Sequence, residues 1–579
     1  MTRNLLRASS LLAVVVVVAL TLDGCAGSTD SPSAGNGGSS ATGSAGTTGT
    51  AGGSGSAGTT GSGGASGSSG TTGQGGAAGS ISGTGGATGS AGTTGQGGSA
   101  GTSGGGRGGT TAGTGGSAGA AGGTGGRGGS VGNGGRGGTG GSAGQGGSAG
   151  AAGGRGGTTG TAGATGTGGT VACTITATSS LATAIPTVGI VTFTTSLASI
   201  DSAEIRFGTA AAGPTMTAPV DLTQPSYRTL LLGMKGSTAY VFRIVATSAA
   251  GSCTSQDYML TTGAVPSSVP KPTVTIMNAA SHAKGFMVTS SGISGTGAWI
   301  YDSDGAPVWW STGPSGTSRI QMSWDGSKMY MMALNVQNSG AGKVTIVNMD
   351  GSGATTAAGM TASHHDMTAI PGGYATLLWN SSGIDAPCSL VERADDGTMK
   401  TIIANMNTVY NSSTWHTNSI HYYPSDNTYT LGDRNPNLYV KVSRTGTLIW
   451  QLGGSNPKDM TKFFSGAGTW SVNHGHHMLP DGTFYLFNNG QSGTSTVRGF
   501  KLNTSAMTAT SSFTYMGSGV NSMVMGDVQG LPNGNVLVTA STSGQITEMT
   551  TGGTVVATFK TSAFGYTEYR DSLYGPPPR

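Results

Sequence analysis

The chain has 579 residues, a formal net charge of +4 and only 9% charged residues. So sparse a charge excludes the basic face that nucleic acid requires, and no run of like charge marks an acidic or basic partner. More than half of the 110 glycines fall between Ala26 and Thr170, so the chain is not one continuous globule.

Residues 1–25 read as a targeting signal. Arg3 and Arg7 give a basic start, and Leu11 to Leu20 is an apolar run too short for a stable membrane span. The ending Leu22-Asp23-Gly24-Cys25 resembles a bacterial lipoprotein box, with Cys25 as the lipid-bearing first residue, although Asp23 departs from that pattern. The resemblance implies an exported protein anchored in a membrane and facing the periplasm or the cell surface; ordinary secretion is the alternative. Residues 26–170 contain no aromatic side chain and almost no charge. Such a Gly/Ser/Thr/Ala segment cannot offset the entropy of folding, and it is expected to be a disordered tether with a mean span of about 60–70 Å.

Residues 171–263 show short alternating strands, among them Ile190–Thr194, Ala203–Phe207 and Thr238–Ala246. Strands of this length and number predict a β-sandwich. The phrase from Leu231 through Tyr240 to Gly251 resembles the end of a fibronectin type III domain, in which a late-strand tyrosine locks a corner. Cys173 and Cys253 sit at the two ends of the segment, and in an exported chain they are expected to form a disulfide. Cys388 has no partner in its own region and is expected to be a buried small residue. The segment carries no histidine, so its expected role is that of a spacer or docking module.

After a Pro/Ser linker, residues 273–579 carry a repeat. One kind of turn recurs at Asp304-Gly305, Asp350-Gly351, Asp396-Gly397, Thr445-Gly446, near Asn503 and at Gly552-Gly553. A second recurs at Asp325-Gly326, Gly372-Gly373, Ser425-Asp426, Asp481-Gly482 and Asn533-Gly534. A period of about fifty residues, strands on both sides of each turn and no convincing helix predict an all-β, six-bladed β-propeller. All eight tryptophans lie in this region, where they are expected to wedge adjacent blades.

Seven of the eight histidines fall between residues 364 and 477. Most sit in three phrases: His364-His365-Asp366, Trp415-His416-Thr417-Asn418-Ser419 and His474-Gly475-His476-His477. Each phrase opens the second kind of hairpin in successive repeats. Equivalent positions of a closed repeat converge on its axis, so these imidazoles are predicted to be neighbours. Arg434, read as ending the strand that starts near Ser419, joins them. Clustered imidazoles with a guanidinium suit an oxyanion better than a dication, whose charge the arginine would oppose.

The region 273–579 resembles the bacterial arylsulfotransferases (arylsulfate sulfotransferases). The resemblance is carried by Trp415-His416-Thr417-Asn418-Ser419-Ile420 with Gly432-Asp433-Arg434, by His474 to Gly490, by His364-His365-Asp366-Met367, and by the ending Phe564-Gly565-Tyr566 to Tyr574-Gly575. It implies transfer of a sulfuryl group from an aryl sulfate to a phenol through a sulfohistidine, without a nucleotide sulfate donor, a cofactor or a metal. By position His474 is the expected nucleophile. His416, Asn418, Arg434 and one histidine of the first phrase, His365 rather than His364, are expected to hold the sulfuryl oxygens. Asn473 and Asn488 stand where the family has Gln and Asp. Two other readings remain at this point: a non-catalytic surface-binding or adhesion lipoprotein, and a metal-dependent propeller hydrolase or lyase.

Overall fold

The computed structural model describes residues 172–334, 342–381, 385–491, 494–517 and 520–577. The expected targeting signal, Cys25 and the glycine-rich tether therefore lie outside the described residues. Within them the regular structure is β-strand with a few single-turn 3-10 helices, and no helix is long and apolar enough to cross a membrane.

The N-terminal part is two antiparallel sheets. Ile175–Leu181, Gly189–Thr195 and Thr229–Leu231 form one; Ser202–Thr209, Met216–Pro219, Ala239–Ser248, Gly251–Thr254 and Tyr258–Thr261 form the other. Alternation decides which face is buried: Tyr240, Phe242, Ile244 and Ala246 point inward to meet Val191, Phe193, Ile205 and Phe207. The Tyr240 hydroxyl accepts the Lys235 N–H at 2.7 Å. Cys173 and Cys253 are joined by a disulfide with a Cα–Cα separation of 6.0 Å. Cys388 is fully buried in the C-terminal part.

These two sheets are packed against the C-terminal part. Ala182, Ile185, Val188 and Leu232 share one apolar cluster with Val288, Val308, Trp309 and Leu573. Thr187 Oγ1 donates to the Val308 carbonyl at 2.7 Å, and Arg228 pairs with Asp350 at 2.7 Å. Tyr574 fastens the same seam, since its hydroxyl accepts the Leu232 N–H and donates to the Leu230 carbonyl.

The remaining strands form six sheets, each antiparallel in its main strands. Their leading strands in ring order are Phe286–Ser290, Thr317–Met322, Ser363–Ile370, Thr417–Tyr423, Asn473–Met478 and Asp527–Gly530. The ends are stitched across. Thr273–Ile276 pairs with Val555–Lys560 of the last sheet, and Glu568–Arg570 pairs with Phe286–Ser290 of the first. Contacts link each leading strand to the next: Ser290 Oγ to Thr317 O, Ala369 N to Gln321 Oε1, Ile420 N to Asp366 Oδ2, Ser419 Oγ to His474 O, and Gly530 N to His477 Nδ1. Gln529 returns to Tyr569 and so reaches the first sheet. The arrangement is all-β and propeller-like.

The second kind of turn joins the first and second strands of each of sheets two to six. Gly326, Gly372, Gly482 and Gly534 carry φ between 76° and 87° there, a region open to glycine at no steric cost. In the fourth sheet the left-handed position is Asn427, at φ 57°.

Candidate functional site

The leading strands of sheets two to five each break register near their start, between Thr317 and Arg319, Ser363 and Met367, Thr417 and Ser419, and Asn473 and His476. Such bulges let neighbouring residues escape strict alternation. His365 sits in one with φ 56°, an unusual backbone for a non-glycine residue. That is why the adjacent His364 and His365 both enter the same cluster.

Four imidazoles and one guanidinium meet at this end of the ring interior: His364, His365, His416, His474 and Arg434, all buried. His365 Nε2 and His416 Nε2 are 3.1 Å apart, so one of the two donates to the other. The rings of His365 and His474 lie 5.6 Å apart, and those of His364 and His416 lie 4.8 Å apart. His364 packs on Trp379 at 3.8 Å between ring centroids, so this tryptophan is a wall of the site as well as a core wedge. Arg434 follows the second strand of the fourth sheet, Thr428–Asp433. It does not end the strand near Ser419, because a turn intervenes.

Asp433 braces this corner. Its oxygens accept the His416 and Asn435 N–H groups, the Thr417 hydroxyl and the Tyr410 hydroxyl. Burial pushes its carboxyl up to about 6 against those bonds. Asn418 donates its amide to the Asn473 carbonyl at 2.8 Å, and its Oδ1 has no partner.

His474 has the most informative surroundings. Its Nδ1 lies 2.7 Å from Asn489 Oδ1. The amide nitrogen of Asn489 donates to the Ser522 and Met525 carbonyls, at 3.0 and 2.7 Å, which fixes the amide so that its oxygen faces His474. An acceptor at Nδ1 requires the proton there, so Nε2 carries the lone pair. Nε2 has no hydrogen-bond partner. Burial, with help from the Arg434 charge, lowers His474 to about 3, and the same two effects, with neighbouring imidazoles, hold His364 and His365 well below the usual histidine range. His364, His365 and His474 are therefore neutral imidazoles beside one permanent cation, Arg434.

His476 and His477 belong to a different layer. Both nitrogens of His476 are taken by the Ser419 and Thr430 hydroxyls, at 2.9 and 2.7 Å, and its ring stacks on Phe484. His477 accepts the Gly530 N–H and faces the opposite end of the ring. Between the two layers Arg319 pairs with Asp366 Oδ1 at 2.6 Å and Asp527 Oδ2 at 3.0 Å, over the Tyr566 ring. A cavity of about 460 Å³ opens beyond this layer, lined by the trailing ends of the leading strands, and contains none of the four clustered imidazoles.

One ring nitrogen each from His364, His365 and His416 lies within 4.8 Å of the others, a spacing able to hold a metal ion. The Arg434 charge that disfavours protonation of His364 and His365 would oppose a dication equally, and would favour an anion. The structure thus groups His365, His416, Arg434 and His474, with Asn418 two residues from His416 and bonded to the Asn473 carbonyl, and adds four residues not selected from the sequence: Asn489, Trp379 and the bracing pair Asp433 and Tyr410. Asn489 had a signal in the sequence, since it belongs to the phrase Phe487-Asn488-Asn489-Gly490 that closes the His474 element. Trp379 had none beyond its residue type.

A propeller-like ring with an imidazole–guanidinium cluster at one end is the class that fold and site define. Residues 388–562 match the family model described as Arylsulfotransferase (ASST), a stretch that contains His416, Asn418, Arg434, His474 and Asn489 but not His364 or His365. That match supports the arylsulfotransferase family for this part of the chain. No curated protein matches the chain. Among solved structures it is similar to a putative 6-phosphogluconolactonase from Bacteroides fragilis, at 12% identity and a TM-score of 0.35, over 51% of this chain and 99% of that one. It is also similar to TolB from Acinetobacter baumannii, at 9% identity and a TM-score of 0.33, over 58% and 80%. A virginiamycin B lyase from Staphylococcus aureus is similar at 12% identity and a TM-score of 0.31, over 49% and 87%. Scores this low bear on neither its activity nor its ligands.

Proposed function

We propose that this protein is an aryl sulfotransferase that moves a sulfuryl group from an aryl sulfate to a phenolic acceptor through a sulfohistidine on His474. The observation that carries the reading is the bare, proton-free Nε2 of His474, held in its tautomer by Asn489. In the first half-reaction that lone pair attacks sulfur, the N–S bond forms and the S–O(aryl) bond breaks. The aryloxide leaves as the anion, held by hydrogen bonds from the imidazole pair His365–His416, and takes its proton from solvent. In the second, a phenol gives its proton to the same neutral pair, which passes it to solvent, the phenol oxygen attacks sulfur and the N–S bond breaks. Attack by neutral imidazole leaves positive charge on the ring, which the Asn489 oxygen stabilises through Nδ1–H. Arg434, His416, His365 and the remaining Asn418 amide N–H offset the charge on the peripheral oxygens, the role that electrostatic preorganisation plays in group transfer of this kind.

On this reading the six sheets are the blades of a six-bladed β-propeller, and the N-terminal sheets are a fibronectin type III-like β-sandwich. Lipidated Cys25 and the tether of residues 26–170 hold them off a membrane on its periplasmic or outer side. Incubation with an aryl sulfate alone should leave one acid-labile sulfuryl group per chain on His474, discharged by added phenol. A protein that is folded yet takes up no sulfuryl group, or takes it up on another residue, defeats the assignment and favours a binding role. Loss of turnover on chelation would favour the metal-dependent reading.

A further inference from the structure

The cavity of about 460 Å³ at the other end of the ring is the size of a small-molecule site. Its floor is charged and its charged side chains are buried. Arg319, Asp527 and Glu568 line the cavity and are buried, and their partners Asp366 and Arg570 are buried as well. Arg319 is shared between Asp366 and Asp527, and Arg570 Nη1 pairs with Glu568 Oε2 at 3.1 Å. Three carboxylates against two guanidiniums leave one negative charge unmatched. The rim adds nothing to offset it, because Lys441 is neutralised by Asp426 and Asp481 by Lys501. The imidazoles of His421 and His477 are held neutral by burial, with neighbouring charges adding to the effect at His421.

Two further features point to a ligand. Glu568 is 7% exposed and lines the cavity, and its Oε1 has no hydrogen-bond partner, an expensive state for a buried carboxylate oxygen. Over this floor stand aromatic walls, Trp324 and Tyr422 in edge contact at 5.9 Å and Tyr423 beside them. Aromatic faces above an unmatched negative charge are complementary to a cation with an apolar body. A buried charge of this kind is offset either by a proton or by such a ligand. Asp527, which burial raises to about 7, shows how close the proton comes to being taken up.

We propose that this cavity is a second ligand site, separate from the imidazole cluster, and that it binds a small organic ammonium ion. The charged head lies against Glu568 and Asp527, and the apolar body lies against the wall formed by Trp324 and Tyr422. The site is independent of the sulfuryl-transfer reading, since none of these residues belongs to the cluster around His474.

The probe is phenethylammonium, titrated calorimetrically into the full chain at about pH 8, where free carboxylates are ionised. Its neutral counterpart 2-phenylethanol matches it in shape. One ammonium ion should bind per chain, with the alcohol weaker by about tenfold or more, as expected when a charge contact is lost. Glu568→Gln and Trp324→Ala should each weaken ammonium binding by about fivefold to tenfold, and His474→Ala should leave it unchanged. Equal binding of amine and alcohol, no binding to the folded wild type, or indifference to both Glu568→Gln and Trp324→Ala overturns the proposal. Loss of ammonium binding in folded His474→Ala would also overturn it, by placing the ligand in the other site.

Discussion

At one end of the ring four imidazoles and Arg434 face inward, with Asp433 turned toward backbone N–H groups and the Tyr410 hydroxyl. At the other end Asp527 and Glu568 line a cavity whose histidines are neutral. Both ends are built from the same strands. His416 and His421 flank one leading strand's first half, and His474 and His477 belong to one strand of six residues. What separates them is the layer in which Arg319 bridges Asp366 and Asp527. Residue type alone therefore does not assign a histidine to either end. Position along the strand and the bulge near its start do so.

The strongest test of that separation is the histidine pair on one strand. His474→Ala should abolish both the sulfuryl adduct and turnover, measured by mass spectrometry and phenol release. His476→Ala should keep the adduct and lose stability instead, because its nitrogens satisfy two buried hydroxyls. An adduct lost equally in both variants would merge the two layers.

Removing the divider comes next. Arg319→Met leaves Asp366 and Asp527 buried without their cation, and should cost about 3–5 kcal/mol of stability in denaturant unfolding. A smaller cost would mean that one carboxyl takes a proton instead, with Asp527, already near 7, the first to do so.

Arg434→Ala should slow adduct formation and discharge alike by about 10²–10³, the usual loss for one electrostatic contact to a transferring group. An effect on only one half-reaction would show that the guanidinium holds the aryl group and not the sulfuryl oxygens.

Asn489→Ala should lower adduct formation by about 10–100-fold through loss of the fixed tautomer, the size expected when an orienting partner is removed. The readout specific to positioning is a shift in the imidazole proton resonances of His474 with the fold unchanged. If Asn489→Ala and Asn488→Ala slow the reaction equally, the tautomer argument fails, since the Asn488 side chain bonds to the Ser471 N–H and the Thr496 hydroxyl and not to His474.

The smallest effect per group is with pH. Six histidines, 364, 365, 421, 474, 476 and 477, are held below their usual range in the folded state. The unfolded chain therefore binds more protons below about pH 6.5, and each such group withdraws up to about 1.4 kcal/mol of stability per pH unit as pH falls. Asp433, Asp527 and Glu568 are raised by burial and work in the opposite direction over the same range. Six imidazoles against three carboxyls predict a net loss of stability on acidification below about 6.5, measured as a falling unfolding midpoint. Sulfuryl uptake itself should stay flat down to about pH 5, since His474 is deprotonated well below that.

Local chemistry made much of this legible in the sequence. Period-two alternation and Gly-containing turns spaced about fifty residues apart carry strands and repeats, because side-chain direction and positive φ are properties of a few adjacent residues. The three histidine phrases were visible for the same reason, and their equivalent places in the repeat brought His365, His416 and His474 together. Tertiary structure alone decided the rest. The bulge that turns both His364 and His365 inward arises from register against Gly373–Trp379. The Asn489 bond that leaves Nε2 of His474 bare depends on the carbonyls of Ser522 and Met525, over thirty residues away in sequence. The unmatched charge at the far end exists only because Arg319, Asp366, Asp527, Glu568 and Arg570, from four different sheets, are buried together. A sequence gives each of these residues its charge and its place on a strand. Only the packing of the sheets around one interior removes the water and sets the distances that turn those charges into sites.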